Sequence, residues 1–393
     1  MEWKKYKLSE IGEIVSGATP RTNVTDNYGG DIAWLTPADL SGYTQKYISR
    51  GARNITQQGY DSCSTTLMPK GTVLFSSRAP IGYVAIAAND ICTNQGFKSV
   101  VPSHNIDSEF LYYQLLLLRD KIRDMGSGTT FKEISGKKLG EVEITVTSLD
   151  EQRRIVSRIE ELFSELDNSV STLQKTKEQL AVYRQAVLKD AFKGVVEKKP
   201  IRQMSEFVTS GSRGWAKYYA DEGARFIRIT DLTRDKIILK NDSIQRVNLP
   251  EEAEGKRSRL NPFDVLVSIT ADLGSIALIP GDIEEAYINQ HIAMIRFDNP
   301  LQGEFMAWYL KSDYGQKDLL KNKRGGGKLG LGLDDIRDTP VPDVSDATSK
   351  KIVSEIESRL SVCDSIEHTV DKALQQAEAM RQSILKQAFE GRL

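Results

Sequence analysis

Between Asp150 and Lys193 the chain contains neither glycine nor proline, and an apolar residue returns every seventh position: Ile159, Leu166, Leu173, Leu180 and Val187. A companion stripe of the same period holds Ile155, Leu162 and Tyr183, with Ser169 and Thr176 between them. Heptads sustained over this length predict a coiled-coil helix. The C-terminal segment repeats the pattern in register, with Ile356, Cys363, Val370, Ala377 and Ile384 beside Ile352, Ile366, Ala373 and Met380. Its seam residues are smaller, Ala and Cys against the first copy's Leu, so the two helices are expected to interdigitate with each other. The first helix leads from one globular segment to the next, and the second must travel back along it. An antiparallel pair with pseudo-two-fold symmetry follows. At about 1.5 Å per residue, some 40 helical residues span roughly 60 Å.

The remaining segments follow another rhythm. Short β-type runs such as GTVLFSS, GYVAIAA, KSVVP and VEITV in the first, and RFIRIT, DVLVSI, SIALIP and AMIRF in the second, are bounded by Gly, Pro, Asn and Asp. Such runs predict strands. One helix is predicted in each segment, over 108–125 and 303–321. The expected fold class is α+β: two similar domains on curved, mainly antiparallel sheets, separated by the two long helices. The expected boundaries are 1–148 and 200–345 for the domains, with helical regions at 149–199 and 346–393.

The chain is also internally duplicated. RQAVLKDAFKG (Arg184 to Gly194) returns as RQSILKQAFEG (Arg381 to Gly391), 197 residues later in a chain of 393. Ser16-Gly17 is echoed by Ser210-Gly211, and Trp34-Leu35-Thr36 with Asp39-Leu40 by Arg228-Ile229-Thr230 with Asp231-Leu232. MPKGTVLFSS aligns with LNPFDVLVSI, Gly82 with Gly274, TNQGF with INQHI, and Ser108-Glu109-Phe110 with Gly303-Glu304-Phe305. A repeat this long is a duplicated domain rather than a solenoid. Duplication suggests a two-fold task, such as reading two things at a fixed separation.

Composition narrows the chemistry. With 53 basic and 54 acidic residues, the chain is not held to nucleic acid by global charge. Residues 1–149 carry 16 Lys and Arg against 15 Asp and Glu, and 200–343 carry 20 against 22, so any nucleic-acid surface must come from local clusters. No apolar run reaches the roughly 18 residues of a membrane span, and the N-terminal MEWKKYKLSE has no apolar signal core, so a cytoplasmic protein is expected. Three scattered cysteines, Cys63, Cys92 and Cys363, suit neither a disulfide framework nor a zinc site. His104, His291 and His368 have no spaced partners, so no metal site is expected. Gly325-Gly326-Gly327-Lys328 lacks the spacing and following Ser/Thr of a phosphate loop, and suits a basic loop along a phosphate backbone better. No catalytic constellation is found, and a recognition module is the expectation.

SGATPRTN...YGGDIAWLTPADL (Ser16 to Leu40), RAPIGYVAIAANDICTNQGFKSV (Arg78 to Val100), TTFKEISGKKL (Thr129 to Leu139), and SLDEQRRIV opening a helix that ends in YRQAVLKDAFKG together resemble a type I restriction–modification specificity subunit. The resemblance covers the whole chain. It implies two target-recognition domains, each reading one half of an asymmetric, interrupted double-stranded DNA site. It further implies helical regions that bind two methyltransferase subunits. S-adenosylmethionine would reside on the methyltransferases, ATP and Mg on separate motor–nuclease restriction subunits, and no cofactor or active site on this chain. Two alternatives remain open: the specificity subunit of a related system with a fused methyltransferase–nuclease, and a coiled-coil adaptor that does not bind DNA. One departure is visible. The Glu151-Gln152 pair at the first helix start is Thr348-Ser349 in the second copy, so its contact is expected on one side only.

Base readers need Arg, Lys, Asn, Gln, Ser or Thr on groove-facing loops. The candidates in the first domain are Thr19, Arg21, Arg78, Thr129, Thr130 and Lys132. In the second they are Arg213, Trp215, Lys217, Lys256, Arg257, Arg259, Lys323, Arg324 and Lys328. TNQGF and INQHI recur in both halves and are expected to be scaffold. Two copies on one face of a duplex would meet half-sites about one helical turn, roughly 34 Å, or a multiple apart.

Overall fold

The computed structural model describes residues 3–128, 132–249, 256–321, 323 and 329–393, with Lys256 described by its backbone alone. The chain forms two compact units, Met1–Thr172 with Ala373–Leu393, and Leu173–Lys372. Each unit takes one α+β domain with part of each long helix.

In the first unit a five-stranded sheet runs in the order Gly12–Ser16, Lys98–Pro102, Val73–Ser77, Ile81–Ala87, Tyr47–Ile48. All neighbours are antiparallel except the last pair. Trp34–Leu35 pairs in parallel with Cys92–Thr93, and Lys4–Lys7 pairs antiparallel with Glu143–Val146. The second unit rebuilds this topology. Its sheet runs Ser205–Ser210, Ile292–Phe297, Val265–Ser268, Ile276–Leu278. Phe226 and Ile227 pair in parallel with Tyr287 and Ile288, and Lys198–Pro200 pairs with Pro340–Pro342. The parallel pairs correct one detail of the repeat: Trp34 and Leu35 correspond to Phe226 and Ile227, so Thr36 corresponds to Arg228. The backbone confirms it, because Thr36 N donates to Asp39 Oδ2 at 2.7 Å and Arg228 N to Asp231 Oδ2 at 2.8 Å.

The domain helices differ between copies. The first is continuous over Ser108–Asp124, with Asp107 capping it by accepting from Glu109 N and Phe110 N. The predicted helix over 303–321 is instead two helices, Gly303–Lys311 and Asp313–Leu319. Ser312 sits extended between them, its hydroxyl donating to Tyr309 O and accepting from Gly315 N. A serine that caps the next helix while binding the previous turn interrupts the helical ladder locally.

The long helices span Leu149–Ala191 and Asp346–Phe389. Of the predicted seam residues, Ile159, Leu166, Val187, Ile356, Cys363, Val370 and Ala377 are buried, and Leu173, Leu180 and Ile384 are half-buried. Of the companion stripe, Ile155 is buried and Leu162, Ile352 and Ala373 are half-buried, and the rest is corrected. Tyr183, Ile366 and Met380 are 44%, 40% and 53% exposed. The inward companion positions are Phe163, Val170, Arg184 and Ala191, with Leu360, Glu367, Leu374, Arg381 and Ala388 on the other helix, while Lys177 is exposed. An apolar-only reading misses this stripe because its middle members are charged.

Those charges run antiparallel in each unit. In the second, Arg184 donates to Asp364 Oδ1 at 2.7 Å and to Glu367 Oε2 at 2.8 Å, Lys177 to Asp371 at 2.8 Å, and Arg359 to Asp190 at 3.1 Å. In the first, Arg381 binds Asp167. Arg184 and Arg381 are repeat equivalents, and so are Asp167 and Asp364. The repeated Arg therefore meets the repeated Asp of the other helix in both units. The repeated tail has a second role: it docks a long helix on a domain helix. Phe389 meets Phe110 edge-on at 5.2 Å in the first unit, and Phe192 meets Phe305 at 5.5 Å in the second.

The helix starts differ as the sequence suggested. Gln152 is fully buried, accepting from Asp107 N at 2.8 Å and donating to Asn105 O at 3.0 Å and Thr147 O at 2.8 Å. Ser349 binds only its own turn, through Asp346 O. In the second unit Asn299 and Gln302 reach the helix start instead, both donating to Asp346 Oδ1.

Candidate nucleic-acid interface

Each domain holds the same hydrogen-bonded turn, which in the first domain borders a cleft. In the first, Ser76 Oγ accepts from Gly82 N and Tyr83 N and donates to Pro80 O, tying the turn between two central strands. Ser268 Oγ does the same in the second, accepting from Ser275 N and donating to Asp272 O. Ala79 and Ala271 occupy the same place in these turns, with φ of 48° and 56°. A left-handed alanine is costly and persists only where its surroundings fix it. The two turns are therefore one built feature, made twice.

A second turn faces the first. Asn94 Oδ1 accepts from Gly96 N at 2.8 Å, and Asn289 Oδ1 from His291 N at 3.1 Å. Ser77 N donates to Gly96 O, and Ile269 N to His291 O. Between the turns in the first domain lies a cleft lined by Thr36, Pro37, Arg78, Asn94, Gly96 and Glu133. Arg78 faces Glu133 across it at 3.6 Å, and Lys98 approaches the same carboxylate at 3.7 Å. Burial pulls the Lys98 ammonium below its usual range, with Glu133 opposing. The equivalent backbone bridge in the second domain joins Thr270 to Gly330. There His291 Nδ1 lies 2.6 Å from Thr270 Oγ1, and its Nε2 2.8 Å from Gln290 Nε2. The ring thus links the Gln290 amide to the Thr270 hydroxyl.

The structure brings some predicted residues together here and not others. Arg78 lines the first cleft, and Thr19 reaches its turn by donating to Gln95 Oε1 at 2.5 Å. Lys132 is exposed beside Glu133, and Arg21 is exposed and does not line the cleft. Thr129 and Thr130 lie outside the described residues. In the second domain Arg213, Lys217, Arg257, Arg259 and Lys323 are exposed, Lys217 over the Tyr218 ring at 4.8 Å. Arg324, Lys328 and the Lys256 side chain also lie outside what is described. Trp215 is a correction: it is 3% exposed, stacked on Phe226 at 4.9 Å and packed on Tyr287 at 5.3 Å. A large aromatic beside a Ser-Gly turn had been read as surface, but it fills the second domain's core. Sequence reasoning also missed His291, because it set aside the whole repeated Asn-Gln turn as scaffold. The signal was there: the residue after Asn-Gln differs between copies.

Among the described residues no group of three or more His, Cys, Asp or Glu side chains is placed to hold a metal ion, and no helix is long and apolar enough to cross a membrane.

The two domains thus repeat one backbone frame and surround it with different side chains. Residues 1–180 match the family described as the type I restriction modification DNA specificity domain. The chain is 36% identical over 274 residues to the type I restriction enzyme MjaIX specificity subunit of Methanocaldococcus jannaschii, covering 64% of this chain and 62% of that one. It is 22% identical to the EcoBI specificity subunit of Escherichia coli across 100% of this chain and 86% of that one. A chain of a solved type I restriction–modification system shares its fold, with TM-score 0.76 at 17% identity over 100% of this chain and 98% of that one. Residues 1–180 thus match a type I restriction modification DNA specificity domain, and the chain is similar to type I restriction–modification specificity subunits.

Proposed function

We propose that this chain supplies the DNA sequence specificity of a type I restriction–modification complex. Each domain reads one half of an asymmetric bipartite site through its cleft and flanking basic residues. The paired long helices fix the spacer and dock two methyltransferase subunits, and restriction subunits join through the assembled complex. The chain itself is non-catalytic and cytoplasmic. S-adenosylmethionine belongs to the methyltransferases, and ATP and Mg to the motor–nuclease.

The observation that carries this reading is the pairing of constancy with divergence: one hydrogen-bonded frame twice, with Arg78 and Glu133 paired beside it in one domain and Thr270 and Gly330 in the other. A scaffold that reads two unlike sequences needs that combination. Phosphate contacts from exposed residues such as Arg257 and Lys323 position the duplex without specifying it. The test is mapping of N6-methyladenine in the host genome with and without this gene. A bipartite, asymmetric motif that vanishes with the gene is expected; an unchanged methylation pattern would refute the reading. Inserting one heptad into the helices is expected to change the spacer and leave both half-sites intact.

A further inference from the structure

The residue after the repeated Asn-Gln pair occupies the one point where a fixed turn faces the strained turn across the cleft. We propose that this position, Gly96 in the first domain and His291 in the second, acts with its partner across the cleft, Arg78 or Thr270, to encode the different half-sites. The inference rests on the DNA-reading function above and assigns it to particular side chains.

Three observations support it. The backbone at both positions is held identically, by an Asn side chain below and by a strand N–H on the carbonyl. Only the side chains change. The neighbours change with them: a Cβ built on Gly96 would lie 2.6 Å from Pro37 Cγ, whereas Ile229 stands at the Pro37 position in the second domain. In the first cleft this leaves the turn bare and the Arg78–Glu133 pair as its chemistry. In the second it leaves a hydrogen-bonded chain, Gln290 to His291 to Thr270.

The chemistries differ in what they can read. An Arg guanidinium matches guanine O6 and N7, and a carboxylate accepts from cytosine N4, so Arg78 and Glu133 together suit a G·C pair in the major groove. A Gln amide matches adenine N6 and N7; Gln95 accepts from Thr19, whereas Gln290 joins the His291 ring, and the hydrogen-bonded Gln290–His291–Thr270 chain suits an A·T pair. The first half-site is thus expected to contain a G·C pair that depends on Arg78, and the second an A·T pair that depends on His291.

The test uses the full chain assembled with its methyltransferase, with the methylated motif mapped for wild type, Arg78→Ala, His291→Gly and Thr270→Val. His291→Gly and Thr270→Val should relax one position of the second half-site by roughly ten- to a hundredfold, leaving the first unchanged. Arg78→Ala should do the converse. If His291→Gly lowers the melting temperature, Thr270→Val, close to the native shape, is judged by the same criterion. A motif identical to wild type in both His291→Gly and Thr270→Val overturns the assignment, even though wild-type methylation of a bipartite site would leave the broader function standing. Absence of any bipartite motif in wild type would overturn that broader function instead.

Discussion

The two copies agree where the helices and strands must fit and differ where ions and aromatics fill the gaps. Lys46 O accepts from Ile86 N at 2.8 Å, and the equivalent backbone bond in the second domain runs from Leu278 N to Ile237 O. In the first domain the Lys46 ammonium sits between Glu109, at 2.6 Å, and Glu160 of the long helix. In the second domain the same carboxylates recur as Glu304 and Glu357, but Ile237 is buried in the core where the lysine was. One scaffold is therefore held by an ion-paired knot on one side and by apolar packing on the other. A duplicated fold keeps its backbone hydrogen bonds and lets its side-chain fillings drift.

The deepest test of the comparison uses the reciprocal Arg–Asp pairs. If Arg184 meets Asp364 as Arg381 meets Asp167, a fragment of residues 1–199 has both partners for pairing with a second copy of itself: its own Arg184 and Asp167. Such an interface is self-complementary. The expected outcome is a dimer that, with methyltransferase, modifies a symmetric site made of two first half-sites. Sedimentation gives the mass and methylation mapping the motif. A strictly monomeric, inactive fragment would break the equivalence.

Next in size is the aromatic core of the second domain. Arg21 and Trp215 each lie five residues beyond the repeated Ser16 and Ser210, yet Arg21 is exposed and Trp215 is sealed between Phe226 and Tyr287. Trp215→Ala should cost about 3–5 kcal/mol, while Arg21→Ala should fall within about 0.5 kcal/mol of wild type. Urea denaturation compares the two. A Trp215 variant as stable as wild type would contradict its core role.

The helix starts offer a smaller contrast. Removing Gln152 leaves Asp107 N, Asn105 O and Thr147 O without their buried partner. Gln152→Ala should therefore destabilise the first unit by roughly 2–4 kcal/mol. Ser349→Ala, which loses one local bond, should cost under about 1 kcal/mol. Hydrogen exchange of the amides around 105–107 and 346–349 reads each side separately.

These contrasts also mark what the sequence could reveal. The heptads of Ile159 to Val187 and Ile356 to Ile384, the mainly antiparallel sheets and the duplication were legible because periodicity and repeats are written in residue type. The companion stripe was misplaced in part because Arg184, Glu367 and Arg381 occupy inward positions, where charge hides burial from an apolar count. Trp215 was misread because a Trp beside a turn serves as anchor or core with the same letters. His291 was passed over because its neighbours repeat. Ion pairs and facing turns depend on tertiary placement, which no local pattern encodes.

The finest test returns to the carboxylates. Burial pushes the Glu304 carboxyl up to about 7, and the neighbouring Glu357 adds to the rise. Burial also works against ionised Glu109, but hydrogen bonds from Lys46 and Tyr47 outweigh it and hold that carboxyl below its usual range. The signs are opposite. A raised folded-state pKa means the native chain binds more protons than the unfolded one between about pH 4.5 and 7, so stability falls as pH rises through that window. A lowered one contributes stability present above the unfolded value and lost as the pH falls through the folded one. Because Glu304 is only half buried and Glu357 is exposed, solvent screening keeps the first effect under about 1 kcal/mol. Glu304→Gln should therefore leave melting unchanged at pH 5 and raise it by up to a few degrees at pH 8. Glu109→Gln should lower it at pH 8, since it strips a partner from Lys46. Scanning calorimetry of both variants at the two pH values decides the matter. If both shift in the same direction at pH 8, the lysine that one domain keeps and the other replaces with Ile237 does not set the difference between the halves.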